Sequence, residues 1–288
     1  MDKATEIFEQ CRKNLLQLAY SILGRVSVSE DIVQEAYLKW KDVDLDTVSK
    51  PESYLSSIVT NLCLDRLKSA QHKREKYIGP DLPEPIATKQ NTPEAETQLA
   101  DSLSMAMMYV LKKLNPVQRA VFILREVFSY PYSDIAGIVN KSEANCRKIA
   151  QRARNKINYK SNRFSVDAEA HQKLLKSFME AVQQEDMEQL ESLLAEEATL
   201  YSDGGGQVTA ARKPIYGADK IARFMVGIQN NAPENTRITY SNINGEPSIL
   251  VYFGDRLHSV WTFRTTDSTT IKEILVVLNP NKLEQLKQ

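Results

Sequence analysis

Cysteine and histidine are scarce in this chain, at three each among 288 residues. Cys11, Cys63 and Cys146 lie far apart, each inside an amphipathic helical pattern, and no CxxC pair occurs. That spacing argues against a disulfide framework, and three free thiols fit a reducing cytoplasm. His72, His171 and His258 are equally scattered. No zinc set assembles from neighbours at ligand spacing, so neither metal nor cofactor is expected. No run of eighteen apolar residues exists, so no membrane-spanning helix is expected. The opening MDKATEIFEQ lacks the apolar stretch of a secretory leader. Net charge is absent too, with 37 basic and 37 acidic side chains, but the balance hides an asymmetry. Residues 1–163 carry 25 basic and 20 acidic groups, and residues 164–288 carry 12 and 17. A basic front suits nucleic acid. An acidic back suits neither DNA nor an anionic membrane, but it can contact the front.

What is present is most informative between Leu111 and Ile157. Short helical patterns follow one another there. Ser133 is expected to cap a helix carrying Ile135, Ala136, Ile138 and Val139. After the turn Asn140-Lys141-Ser142, Ser142 is expected to cap the next. In that last helix Cys146, Ile149, Ala150, Ala153 and Ile157 share one face. At about 100° per residue, Arg147, Lys148, Gln151, Arg152 and Asn155 take the other. A short helix, a tight turn and a second helix with a polar outer stripe make a helix-turn-helix, whose second helix fits the DNA major groove. Arg and Lys reach guanine edges there, and Gln or Asn reaches adenine. A solvated surface helix is the plainer reading. Lys141–Arg163, however, has eight basic residues against one acid, Glu143. That excess exceeds what solubility needs.

Residues 1–77 read as all helix. Ile7, Cys11, Leu15, Leu18 and Ile22 form one stripe, ended by Gly24-Arg25. Ser29 is expected to cap a second helix with Ile32, Val33, Ala36 and Trp40. Pro51 starts a third, which carries Leu55, Ile58, Val59, Leu62 and Leu67. Residues 78–93 hold Pro80, Pro83, Pro85 and Pro93 without periodicity and read as a linker. Residues 94–163 form the helical DNA-binding unit. Beyond 164 come two helices, a strand over Ala198–Ser202, the turn at Asp203, and a helix after Gly217. Strands over Thr236–Ile243, Ser248–Tyr252, Arg256–Arg264 and Thr270–Leu278 close the chain. This order predicts a curved antiparallel sheet in an α+β cone. Phe178, Phe224, Met225, Tyr240, Tyr252 and Trp261 read as its core, with a small-effector pocket as the alternative.

Several segments resemble one family. Asp31–Trp40, DIVQEAYLKW, is similar to the D-x-x-Q-E helix of region two in bacterial RNA polymerase sigma factors. Tyr54–Arg66 resembles the helix that follows it, and Leu114–Ile157 resembles region four. A linker in place of region three is typical of the extracytoplasmic-function (ECF) group. The acidic cone resembles a SnoaL-like, or NTF2-like, domain, which one ECF subfamily carries at its C-terminus. That subfamily has an LPEP linker motif, a DGGG turn and a terminal NPDKL. Here they read Leu82-Pro83-Glu84-Pro85, Asp203-Gly204-Gly205-Gly206 and Asn279-Pro280-Asn281-Lys282-Leu283. Asp81 stands where an aromatic is usual, Gln207 where Lys is, and Asn281 where Asp is. These departures are expected to remove charge contacts between the extension and the core.

The resemblance implies a multidomain fold: two all-α sigma domains, then the α+β cone. It also implies the roles of particular residues. Asp31, Gln34, Glu35 and Trp40 would dock on the clamp helices of the large subunit of core RNA polymerase. Asn61 would read an extruded base of the −10 element, and Arg66, Lys68, Lys73 and Arg74 would follow its phosphates. Arg147, Lys148, Gln151 and Arg152 would read the −35 element, with Ser142, Asn145 and Arg154 on phosphate. The LPEP, DGGG and NPNKL residues would make regulatory contacts between the cone and the sigma domains. Two other classes compete. One is a SnoaL-like isomerase with a fused DNA-binding module, using Asp203 or His258 for proton transfer. The other is a repressor acting on duplex DNA alone. Neither needs the Asp31–Trp40 helix.

Overall fold

The computed structural model describes residues 2–71, 79–88, 103–158, 168–265 and 269–286. The described chain forms two compact units. Among the described residues, one comprises 2–71, 103 and 107–158, and the other 79–88, 104–106, 168–265 and 269–286. The sequence boundaries at 77/78, 93/94 and 163/164 all fall outside the described residues.

The first unit starts with α1 (Lys3–Leu23), α2 (Val26–Trp40) and α3 (Pro51–Gln71). Asp2 caps α1 by accepting from Thr5 N at 2.7 Å. Gly24 ends it at φ 70°, a left-handed cap suited to glycine. Arg25, not Ser29, precedes α2. Ser29 lies inside the helix, and its hydroxyl donates to Arg25 O at 2.6 Å. The chain continues with α4 (Met105–Leu111), α5 (Pro116–Glu126), α6 (Tyr132–Ile138) and α7 (Glu143–Lys156). Asn115 and Gln118 form a capping box on α5, with Pro116 at its first position. At α6 the expected Ser133 cap is corrected. Pro131 fixes the entry, so Ser133 already belongs to the helix.

One apolar core runs through both helical segments. Leu15, Leu18, Trp40 and Leu55 belong to the same buried cluster as Val121, Phe122, Ile138 and Cys146. Arg119, only 3% exposed, ties helix ends to this core. It donates to Ile22 O and Leu111 O, both at 3.1 Å. These carbonyls lie in the last turns of α1 and α4, where backbone acceptors lack helical partners and a cation is favoured.

The second unit contains α8 (Ala168–Gln183), α9 (Met187–Leu193) and α10 (Ala218–Asn230) against one sheet. Its strands are β1 (Leu194–Asp203), β2 (Ile215–Tyr216), β3 (Thr236–Ile243), β4 (Glu246–Phe253), β5 (Arg256–Thr265) and β6 (Ile271–Val277), in the order β2-β1-β6-β5-β4-β3. The expected cone is present, with one correction: β1 runs parallel to β6, while the other pairs are antiparallel. Strand β2, two residues long, is too short for alternation to reveal. Asn244 and Gly245, at φ 51° and 79°, make the tight β3–β4 hairpin. Phe178 is fully buried and packs edge-on against Phe263, with ring centroids 5.7 Å apart. Tyr240 is corrected to a surface position, 38% exposed. Tyr252 is half-buried beneath the Arg237 guanidinium. Phe224, Met225 and Trp261 line a cavity of about 590 Å³.

Candidate functional site

The helical unit presents three polar faces. On α2, Ile32, Val33, Ala36 and Trp40 point inward. The opposite stripe, Asp31, Gln34, Glu35 and Leu38, is exposed at i, i+3, i+4 and i+7. Leu38 is 55% exposed and gives this acidic stripe an apolar end. The motif draws attention to its acids, and a lone exposed leucine carries no sequence signal. Trp40 does not join that face. It is fully buried, and its indole N–H donates to Ala4 O at 2.7 Å. Its role is corrected to anchoring α2 on α1.

On α3, Asn61, Arg66 and Lys68 are exposed. Asn61 lies about two turns from Tyr54 on the same side, and Tyr54 is 42% exposed. Lys68 pairs with Asp65 at 3.0 Å. Lys73 and Arg74 lie outside the described residues.

The helix-turn-helix is α6 and α7. Ser142 caps α7 by accepting from Asn145 N at 3.3 Å. Cys146, Ala150 and Ala153 are buried, so helical phase turns Arg147, Lys148, Gln151, Arg152 and Asn155 outward, and all are exposed. Arg147 pairs with Glu143, and its guanidinium lies 4.6 Å from the centre of the Tyr132 ring. Arg154, expected on phosphate, is partly buried and held by the neighbouring helices. Its guanidinium bonds Glu126 at 2.8 and 3.0 Å and the Tyr132 hydroxyl at 3.1 Å. The hydrogen bond to Glu126 raises its pKa further, which seals it in the charged form. It braces α7 against the end of α5.

The cone unit gathers the three subfamily motifs at one point. Lys282, 1% exposed, lies in the short helix α11 (Pro280–Leu283). Its ammonium donates to Asp203 Oδ2 at 2.7 Å, to Asp81 Oδ1 at 2.6 Å and to Leu82 O. The same Asp203 oxygen accepts from Leu82 N at 2.9 Å, and Oδ1 accepts from Gly205 N at 3.0 Å. Asp203 O accepts from Leu278 N at 2.8 Å and from Asn279 N at 2.9 Å. A Cβ on Gly205 would overlap the Asn279 side chain, so glycine is required there. Leu82, Pro83, Glu84, Pro85, Gly204, Asn279 and Leu283 are all buried around this knot. Asp81 therefore adds a charge contact, where the sequence reading expected one to be lost.

The linker is held again from Ile86, four residues after Leu82. Ile86 N donates to Asn244 Oδ1 at 3.0 Å, and Asn244 N donates to Ile86 O at 2.9 Å. Thr88 N donates to Asn242 O at 2.8 Å, so residues 86–88 extend the exposed edge of β3. Sequence reasoning missed Asn244, although Asn-Gly is a hairpin signal in its own right. Asp203, the carboxylate that an isomerase reading needs, is fully buried inside the knot. His258 stacks on Phe253, with ring centroids 3.9 Å apart, and lines the cavity of the cone. The Asp203 carboxylate is thus taken up by Lys282, Leu82 N and Gly205 N, while His258 faces the cavity.

Among the described residues, no helix is long and apolar enough to cross a membrane, and no cluster of His, Cys, Asp or Glu is arranged to hold a metal. The family models for Sigma-70 region 2 and Sigma-70 region 4 match residues 7–73 and 104–157. The ECF RNA polymerase sigma factor SigJ of Mycobacterium tuberculosis is 36% identical over 77% of this chain and 72% of its own. A probable ECF RNA polymerase sigma factor of the same species, SigI, is 27% identical over 99% of this chain and 97% of its own. The crystal structure of the M. tuberculosis extracytoplasmic function sigma factor SigJ superposes with a TM-score of 0.79 at 28% identity, covering 98% of both chains. The chain belongs to the extracytoplasmic-function RNA polymerase sigma factors, which direct promoter recognition and transcription initiation.

Proposed function

We propose that the exposed stripe of α2 seats this sigma factor on the clamp helices of the polymerase large subunit. Asp31, Gln34 and Glu35 supply acid and amide groups to a basic partner, and Leu38 adds an apolar contact at one end of the stripe. On α3, Asn61 captures an unstacked base of the −10 element, because its amide both donates and accepts. Arg66 and Lys68 follow the phosphates, continued by Lys73 and Arg74. On α7, Arg147, Lys148, Gln151 and Arg152 read the −35 element, while the Ser142–Asn145 turn meets phosphate. The cone holds the linker through Lys282, Asp203 and Asn244, and so modulates how the two promoter-reading segments are used.

The observation that carries this reading is the segregation on α2. Asp31, Gln34 and Glu35 face out beside exposed Leu38, while Ile32, Val33, Ala36 and Trp40 face in. The test is a pull-down of core polymerase without DNA, using the full chain and Leu38→Asp with Glu35→Lys. Loss of core binding with unchanged binding to a −35 duplex supports the assignment. Full retention of core binding refutes it.

A further inference from the structure

The cavity inside the cone is not explained by promoter recognition. It occupies about 590 Å³, within the range of sites that enclose drug-sized molecules. Its wall is largely apolar: Met179, Leu200, Met225, Val251, Trp261 and Ile238. Polar groups are few. Trp261 Nε1 donates to Ser259 Oγ at 2.7 Å, and that hydroxyl, 1% exposed, keeps its own proton to donate. His258 is held flat on Phe253 at the same wall. Burial and the neighbouring Arg256 lower its pKa, so near pH 7 its imidazole is neutral and offers one donor and one acceptor.

The cavity also adjoins the linker knot. Ser202 and Leu278 line it, and the residues next to them in the chain, Asp203 and Asn279, belong to the knot. The loop from Val208 to Ala211 forms another part of the wall. That loop folds back on Gly204, where a Cβ would meet Val208 O and Ala210 Cβ. One strand end and one loop thus have the cavity on one side and the linker grip on the other.

We propose that this cavity is a binding site for a small, uncharged, mainly apolar molecule bearing one hydroxyl or carbonyl, and that its occupancy is transmitted to the Lys282–Asp203 grip on the linker. The binding claim stands on the cone alone, and only its regulatory consequence rests on the sigma-factor reading. Both are tested on the full chain without polymerase, so failure here leaves polymerase binding untouched. The probe is N-phenyl-1-naphthylamine, followed by its fluorescence, with naphthalene and 2-naphthol as competitors. Saturable one-to-one enhancement is expected, and 2-naphthol is expected to compete better than naphthalene. Ile238→Trp fills the cavity from the edge strand β3 and is expected to abolish the signal with an unchanged unfolding midpoint. His258→Phe keeps the stack and is expected to reduce the advantage of 2-naphthol, on the order of five- to tenfold for one lost hydrogen bond. Coupling between sites is reciprocal, so loosening the grip must alter probe affinity. Asp81→Asn, at the less buried carboxylate of the grip, is expected to shift it several-fold. A missing saturable signal, or one that Ile238→Trp leaves intact, overturns the site. Equal affinity in wild type and Asp81→Asn overturns the transmission.

Discussion

At the residue scale, Lys282 is the most consequential side chain in the cone. It neutralises two carboxylates and caps a linker carbonyl from a position 1% exposed. Removing one partner of a buried ion pair strands the other, which costs about 3–5 kcal/mol. Lys282→Met is expected to destabilise the cone by roughly that amount in urea unfolding. Adding Asp203→Asn is expected to cost far less than the sum of the two single changes, because the stranded charge goes with it. Additive losses would show that the pair is not coupled. Glu246 supplies a pH dependence of unusual sign. Burial pushes its carboxyl from the usual value near 4.5 up to about 7, against the pull of the Ser104 hydroxyl and the Arg264 guanidinium. Between these values the folded state binds more protons than the unfolded chain, so this contribution to stability falls as pH rises from 4.5 to 7 and is flat above. Its size is on the order of 3 kcal/mol. Unfolding midpoints of Glu246→Gln at pH 5 and pH 8 check this. The variant is expected to lose less stability across that interval than wild type, and an identical profile would exclude Glu246 as the source.

At the element scale, α7 carries the clearest expectation. Arg152 is exposed on the face opposite Cys146 and Ala150. Arg152→Ala is expected to weaken binding to a −35 duplex by about 1–3 kcal/mol while leaving a scrambled duplex nearly unaffected. Equal losses on both at fixed salt would assign Arg152 to phosphate instead, and no loss on either would remove it from the interface. The helix-turn-helix was legible because its burial period is strict and its charge excess is local. Regular elements elsewhere were legible for the same reason, since helical stripes and strand alternation are patterns of single residues. Caps were less so. Ser29 and Ser133 carry cap chemistry but lie inside helices, because Arg25 and Pro131 have already set the extended entry geometry. The motif around Trp40 could not say which members face out, since that depends on where α1 packs. The pairing of Arg154 with Glu126 was hidden because the two are distant in sequence. The knot of Asp81, Asp203 and Lys282 joins residues up to 201 positions apart. Its segments were found as motifs, but its charge pairing exists only in three dimensions. Strand β2 and the parallel β1–β6 pairing escaped for the same reason.

At the scale of the whole molecule, the arrangement divides labour between two units. The helical unit places its core inward and leaves the α2 stripe, Asn61 on α3 and the outer face of α7 in solvent. The cone unit strips the linker of freedom at two points, a buried ion cluster and a strand edge. A sigma factor must reach two promoter elements at a set separation, and the proposed role of the cone is to act on that separation through its grip on the intervening chain. Run-off transcription with core polymerase tests this most directly, comparing the full chain with Asp81→Asn on a promoter library. The expected result is initiation at sites that core polymerase alone does not use, with an output that changes when the grip is weakened. Core polymerase that starts nowhere new in the presence of the chain would contradict the account, and identical output from the two proteins would contradict the part assigned to the cone.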